Sequence, residues 1–438
     1  MRMSIRRLST IFACAAALAT ATVPATAGAA TSQQRLSRAL TNGLNAAGRA
    51  SGAYVFDLTT GKVLFSVRAS VGRLPASVEK LYTTSTALLR YGPGASLETR
   101  VYGVGAMSSN GTFDGTLYLR GGGDPTFGAQ GFDRYYYGTG ATIQRLVANL
   151  IRDTGIKSLS GSIVGDESYF DSLRGTAATD FESSSYVEGL LSGLAYDRGF
   201  TSVSEQAFQP HPALFAAQQF EAALRSAHVK IPARTSVYAG DTPPGSKQLT
   251  DVASPRMSTL LRLTNTPSDN FFAEMLIKDI GAQFGGGGTT ADGVAVVRAQ
   301  IAHSFDIHPQ FDDGSGLSYN DHSSPVEVVT LLEHMADNAP FVDSLAVAGK
   351  TGTLVDEMRG TSAQGRCRGK TGTLAAVSNL VGYCTARDGD ELAFAFLMNG
   401  INPDYAHPIQ DQMAVALSQY DASDATPVPS SPSGATAP

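Results

Sequence analysis

The chain of 438 residues is short of three things: cysteine, metal-binding motifs, and apolar runs long enough to cross a bilayer. Its most apolar early stretch, residues 11–21, is too short to span a membrane. Arg2, Arg6 and Arg7 precede it, and the small-residue sites Ala25-Thr26-Ala27 and Ala27-Gly28-Ala29 follow. This pattern predicts a cleaved export signal over 1–29, with a retained N-terminal anchor as the alternative. An exported protein of the periplasm or cell-wall space, without a transmembrane helix after cleavage, is therefore expected. Positive charge is not in excess either. The formal charge is −6, and −9 without those three arginines, which argues against nucleic acid as a partner. Of the three cysteines, Cys14 leaves with the signal. Cys367 and Cys384 remain as a pair in an oxidising compartment, where a disulfide is expected and two free buried thiols are the alternative. The seven histidines form no H-E-x-x-H, and His303 and His308 read as surface or helix-end residues, so no metal site is expected. Gly121-Gly122-Gly123-Asp124-Pro125 lacks the Gly-Lys-Ser/Thr ending of a phosphate cradle, and the two Gly-Lys-Thr stretches lack its first glycine. No cofactor is implied.

What is present supports a folded chain of two or three domains: 42% of the residues are hydrophobic. Leu36, Leu40 and Leu44 mark an amphipathic helix over 33–47. The runs 53–58 and 62–67 flank Thr59-Thr60-Gly61, a hairpin. From about residue 91 glycine and short strand-like runs take over, at 99–103, 115–120 and 160–165, with helical patches at 142–152 and 213–227. Helical periodicity returns near 254, with helices expected to 263, from 268, over 291–303, 325–336 and 407–420. Strands are expected at 369–374, 377–385 and 392–399. The expected division is 30–94 with 251–421 as one domain, 95–250 as an inserted mixed β-rich module, and 422–438 as a disordered Ser/Pro/Ala tail.

Three short motifs occur in order: Ser77-x-x-Lys80, Ser268-Asp269-Asn270 and Lys370-Thr371-Gly372. If Ser77 starts a helix, Lys80 lies one turn on and on the same face. A hydroxyl is a weak nucleophile until a base takes its proton, and a lysine serves once its pKa falls. Acyl transfer from a peptide ending in a carboxylate also needs an oxyanion hole and a cationic dock. Lys370 with the Thr371 and Thr373 hydroxyls suits the dock, and the N–H groups of Ser77 and Thr373 suit the oxyanion. Ser268 can relay a proton between Lys80 and the leaving amine, and Asn270 can hold both the substrate amide and Lys80. A second lysine nearby would push the Lys80 pKa down. Rivals exist. S-x-N recurs at Ser108-Ser109-Asn110 and Ser318-Tyr319-Asn320, but only Ser268 runs into an apolar-faced helix. K-T-G recurs at Lys350, followed by a charged stretch, whereas an apolar strand run follows Lys370.

These stretches, with Leu117-Tyr118-Leu119-Arg120-Gly121-Gly122-Gly123-Asp124-Pro125 and Asp313-Gly314-Ser315-Gly316-Leu317-Ser318, resemble the class C low-molecular-mass penicillin-binding proteins. The motif set itself is a known signature of penicillin-binding proteins and class A β-lactamases. The resemblance implies an α/β (α+β) transpeptidase-like domain, its antiparallel sheet flanked by helices, with a large module inserted before S-x-N. The 188-position gap from Lys80 to Ser268 is short for that family, so a missing subdomain is expected. It implies a serine D-alanyl-D-alanine carboxypeptidase or endopeptidase with Ser77, Lys80, Ser268, Asn270 and Lys370 as catalytic residues. Thr371, Gly372 and Thr373 would bind substrate. Peptidoglycan stem peptides would be the substrate, β-lactams the inhibitors, and no metal would be needed. A Gly-Thr-Leu turn precedes the active K-T-G in that family, which makes the Lys350 copy a variant of that turn. The competing readings are a serine β-lactamase, which the absence of an E-x-x-L-N stretch disfavours, and a non-catalytic cell-wall binding protein on the same fold.

Overall fold

The structure is a computed structural model that describes residues 30–202 and 207–424. The expected export signal over 1–29 and all but the first residues of the expected tail lie outside the described residues. Two sheets organise the rest. The first has six strands in the order Ala346–Val347, Cys367–Leu374, Val377–Thr385, Glu391–Asn399, Gly52–Asp57, Lys62–Val67. All neighbours run antiparallel. The N-terminal hairpin thus completes a sheet begun by the last strands of the chain.

Side chains alternate across a strand, so each of these strands feeds two cores. Along Glu391–Asn399, Leu392, Phe394, Phe396 and Met398 join the core that holds Leu36, Leu40 and Leu44. That side is covered by the helices Ser32–Ala47 and Pro403–Ser418, which pack on each other. Ala393, Ala395 and Leu397 face the opposite core, with Leu81, Phe272, Met275 and Leu332. Helices Lys80–Tyr91, Asn270–Phe284 and Pro325–Met335 supply those residues. Burial of both faces explains why the strand reads as one apolar run rather than an alternation.

The second sheet has five strands in the order Val237–Ala239, Ser158–Asp166, Thr112–Arg120, Glu98–Met107, Lys247–Ala253. It owns a separate core around Val101, Leu117, Leu146, Ile163 and Phe220. Its strands are longer than their sequence runs suggest, and Thr112–Arg120 pairs parallel with Ser158–Asp166 through the crossover helix Ile143–Thr154. Glycines hide these strands from a periodicity argument. Gly105, Gly115 and Gly161 lie in register at φ 147, 147 and 152°. A Cβ at any of them would come within 2.2 Å of a neighbouring strand's backbone. Between this sheet and the helix Asn270–Phe284 runs the Gly121-Gly122-Gly123-Asp124 loop, where the Gly123 N–H donates to the Gly193 carbonyl at 3.1 Å.

Candidate active site

Ser77 does not begin the α-helix. It lies in the 3-10 turn Ala76–Glu79, and the α-helix starts at Lys80. In a 3-10 turn residues three apart eclipse one another, so Lys80 still stands over Ser77. The Lys80 ammonium donates to Ser77 Oγ at 2.8 Å, to Asn270 Oδ1 at 2.6 Å and to the Ser315 carbonyl at 2.7 Å. All three of its protons are used, as a buried ammonium requires.

Ser268 and Asn270 arrive on one tight turn. Helix Met257–Asn265 ends, the Asp269 N–H donates to the Thr264 carbonyl, and helix Asn270–Phe284 begins. To make that turn Ser268 takes φ 68°, the left-handed region. Asp269 caps the new helix by accepting from the Phe272 N–H at 2.9 Å. Arg198 grips the same carboxylate with two bonds of 2.6 and 2.9 Å. Asn270 is pinned from the same region: its side-chain amide donates to the Tyr186 carbonyl and its N–H to Glu188.

Lys370 comes in on the strand Cys367–Leu374 and is fully buried. Its ammonium donates to Ser268 Oγ at 2.7 Å and to the Thr371 carbonyl at 2.8 Å. Gly372 allows the strand to lie against the Ser77 turn, since a Cβ there would sit 2.5 Å from the Pro75 carbonyl. Asn379, on the next strand, donates to that carbonyl at 2.8 Å. The short strand Ala346–Val347 pairs only with Arg368 and Gly369, so residues 370–374 have no strand neighbour on that side among the described residues. Thr373 is exposed there, while the Thr371 hydroxyl donates to Thr353 Oγ1 at 2.9 Å. A cavity of about 740 Å³ opens beside Asn270 and Thr373, walled by Tyr186, Leu317 and Tyr319.

The rival motifs fall elsewhere. Lys350 is exposed, and its Gly352 makes a tight turn against the Thr266 carbonyl. Ser108 and Asn110 sit at an exposed hairpin tip. Ser318 and Asn320 line the cavity wall, with Asn320 turned to Asp312. Cys367 and Cys384 are disulfide-bonded across the register of the two strands behind Lys370.

The electrostatics differ from the expectation in one respect. Burial is the main cause lowering the Lys80 pKa, and the carboxylates of Glu79, Asp313, Glu188 and Glu274 act against it. The second lysine is the one that feels the pair: burial and then the Lys80 charge hold Lys370 well below the ordinary lysine range. The reason is that four acids act on Lys80, whereas only Glu188 acts on Lys370. Motif reading misses Glu188, Glu274, Arg198 and Tyr186, and it gives no role to Glu79, Asp313 or the Ser315 carbonyl although its stretches contain them. One signal was available: Glu274 is a lone charge in the apolar run Phe271-Phe272-Ala273-Glu274-Met275-Leu276-Ile277.

Comparison with known proteins identifies the family and the fold. The model of the D-Ala-D-Ala carboxypeptidase 3 (S13) family matches residues 32–209 and 200–420. The chain is 29% identical over 457 residues to the D-alanyl-D-alanine carboxypeptidase of Actinomadura sp. strain R39, covering 85% of this chain and 82% of that one. It is 30% identical over 368 residues to carboxypeptidase DacB of Mycolicibacterium smegmatis, covering 80% and 76%. In fold it is similar to penicillin binding protein 4 of Haemophilus influenzae, with a TM-score of 0.72 at 19% identity over 87% of this chain and 99% of that one.

Proposed function

We propose, for a chain that belongs to the D-Ala-D-Ala carboxypeptidase 3 (S13) family and is a serine-type carboxypeptidase, that Ser77 is the nucleophile and Lys80 its base. The observation that carries this is the 2.8 Å bond between the buried Lys80 amine and Ser77 Oγ. A lysine that burial has made easier to deprotonate can take the serine proton as Oγ attacks the carbonyl of the penultimate D-alanine. The tetrahedral oxyanion would lie between the N–H groups of Ser77 and Thr373. As the C–N bond breaks, the proton held on Lys80 passes through Ser268 to the departing amine, leaving an ester on Ser77. Water then attacks that ester and Ser77 regains its proton. Lys370 and Thr373 would dock the terminal carboxylate, and the substrate's acyl part would run along the open strand edge into the cavity beside Asn270.

Peptidoglycan stem peptides are the substrate this reading takes, and β-lactams would acylate Ser77 in their place. We read 95–250 as an inserted module whose Tyr186, Glu188 and Arg198 complete the wall around Asn270. Work on cell-wall peptide places the protein outside the cytoplasmic membrane, in keeping with the export signal over 1–29. No helix among the described residues is long and apolar enough to cross a membrane.

The test is a fluorescent penicillin followed by mapping of the labelled peptide, with Ser77→Ala alongside. Label on the peptide carrying Ser77, lost together with D-Ala release in S77A, is the expected result. Hydrolysis retained by S77A removes Ser77 from the mechanism. Rapid loss of label with turnover of the antibiotic would make the enzyme a lactamase.

A further inference from the structure

Behind Lys80, on the side away from Ser77, lies a group of carboxyls that the reaction above does not use. Glu79, Glu274, Asp313 and Asp321 are all fully buried. They come from three elements: the turn Ala76–Glu79, the helix Asn270–Phe284, and the loop 312–321. Each does a defined job. Asp313 accepts the N–H groups of Ser315, Gly316 and Ser318, which bends the loop back on itself. Asp321 accepts the Asp312 N–H and Glu79 accepts the Thr83 hydroxyl. Glu274 accepts the Gly314 N–H at 3.0 Å. The next residue, Ser315, provides the carbonyl that receives the Lys80 ammonium.

We propose that Glu274 is a positioning residue for the reaction: it anchors the segment whose Ser315 carbonyl receives the Lys80 ammonium, and its charge is one of those that set the pH at which Lys80 can take the Ser77 proton. The inference rests on the reading of Ser77 and Lys80 above. One oxygen of Glu79 and one of Asp321 have no hydrogen-bond partner among the described residues, and the second Glu274 oxygen has only the Ser315 hydroxyl within reach. An ionised oxygen left so would cost several kcal/mol, roughly, so protons must reside in the group. Burial, then Asp313, pushes Glu274 up to about 8, and the Ser315 hydroxyl, then Lys80, then the Gly314 N–H work the other way. Asp321 is pushed up to about 9 by burial, then by Asp313, Asp312 and Glu274. The charges facing Glu274 are Glu79 and Lys80 on one side and Asp313 and Asp321 on the other. Glu188 faces Lys80 across the site, and Lys278, one turn along the helix, is paired with Asp171. Ionised Glu274 favours the Lys80 ammonium; neutral Glu274 releases it. Removing the charge therefore makes Lys80 a free base at lower pH.

The experiment is the pH profile of kcat/KM for D-Ala release in the parent, Glu274→Gln and Glu274→Ala, with melting curves to verify folding. E274Q keeps an acceptor for the Gly314 N–H. Its plateau should stay within about threefold of the parent while the acid limb moves to lower pH by roughly half a unit or more. E274A should move the limb likewise but lose about tenfold or more in kcat with KM little changed, because the Ser315 carbonyl drifts. An E274Q limb that coincides with the parent's overturns the proposal. Should E274Q not fold, infrared titration of the parent decides: a buried carboxyl must lose its proton over the pH range of the acid limb, and none doing so overturns it. An inactive S77A with an unmoved E274Q limb removes Glu274 alone; an active S77A removes the reading beneath it.

Discussion

Ser268 carries two requirements that pull apart. Its hydroxyl must meet the Lys370 ammonium at 2.7 Å, and to do so its backbone takes φ 68°. A Cβ in that region costs about 1–2 kcal/mol, a cost glycine does not have. Ser268→Ala keeps the strain and loses the hydroxyl; Ser268→Gly loses both. We expect S268G to be the more stable of the two by about 1 kcal/mol in denaturant unfolding, against the usual ranking of alanine over glycine. If Ser268 relays the proton as proposed, both should lose roughly 10²-fold or more in turnover. Lys370 shows the same economy of means. A buried lysine next to another lysine gives up its proton readily, and the one hydroxyl placed to exchange protons with it is that of Ser268.

At the next scale up, the turn carrying Ser268 and Asn270 is held by a partner from far along the chain. Arg198 closes a two-pronged ion pair on the helix-capping Asp269, with side-chain exposures of 8% and 13%, and its guanidinium lies 4.8 Å over the Phe271 ring. Truncating one partner of such a pair leaves a buried charge alone. Arg198→Ala should cost about 3 kcal/mol or more in unfolding free energy and depress kcat as Asn270 loosens from Lys80. Unfolding curves that superimpose on the parent's would refute it. None of this pairing was legible in the sequence. The helices were, because Leu36, Leu40 and Leu44 or Phe272, Met275 and Leu276 repeat at a helical period. The last strands were, because 377–385 and 392–399 are nearly unbroken apolar runs. The three motifs were legible too, and the fold brings their serines and lysines close together: Lys80 meets Ser77 and Lys370 meets Ser268. What escaped was set by contact between distant segments: the parallel pairing of Thr112–Arg120 with Ser158–Asp166, the grip of Arg198, and the acids behind Lys80. A periodicity argument sees one segment at a time, and burial of a charge is decided by what folds over it.

For the whole molecule, buried acids make pH a control on stability. In the five-stranded module burial pushes Asp124 up to about 7, Asp133 up to about 8 and Asp197 up to about 6. Neither Asp133 oxygen has a hydrogen-bond partner among the described residues. A carboxyl whose folded pKa exceeds its unfolded value binds its proton more tightly when native. Its stabilisation is complete below about pH 4 and drains away as pH rises through 6, 7 and 8 in turn. The melting temperature should therefore fall between roughly pH 4 and pH 8, and Asp133→Asn should flatten that slope. A parent whose melting temperature holds level or climbs over the range would refute the raised pKa of these three groups in the native state.

The pairing of Gly52–Asp57 with Glu391–Asn399 also sets a schedule for synthesis. The opening hairpin emerges from the ribosome early and finds one edge without a partner until the final hundred residues arrive. No nascent fragment can close this sheet. Premature termination, or proteolysis that removes the last strand, leaves a sticky edge strand rather than a smaller working enzyme.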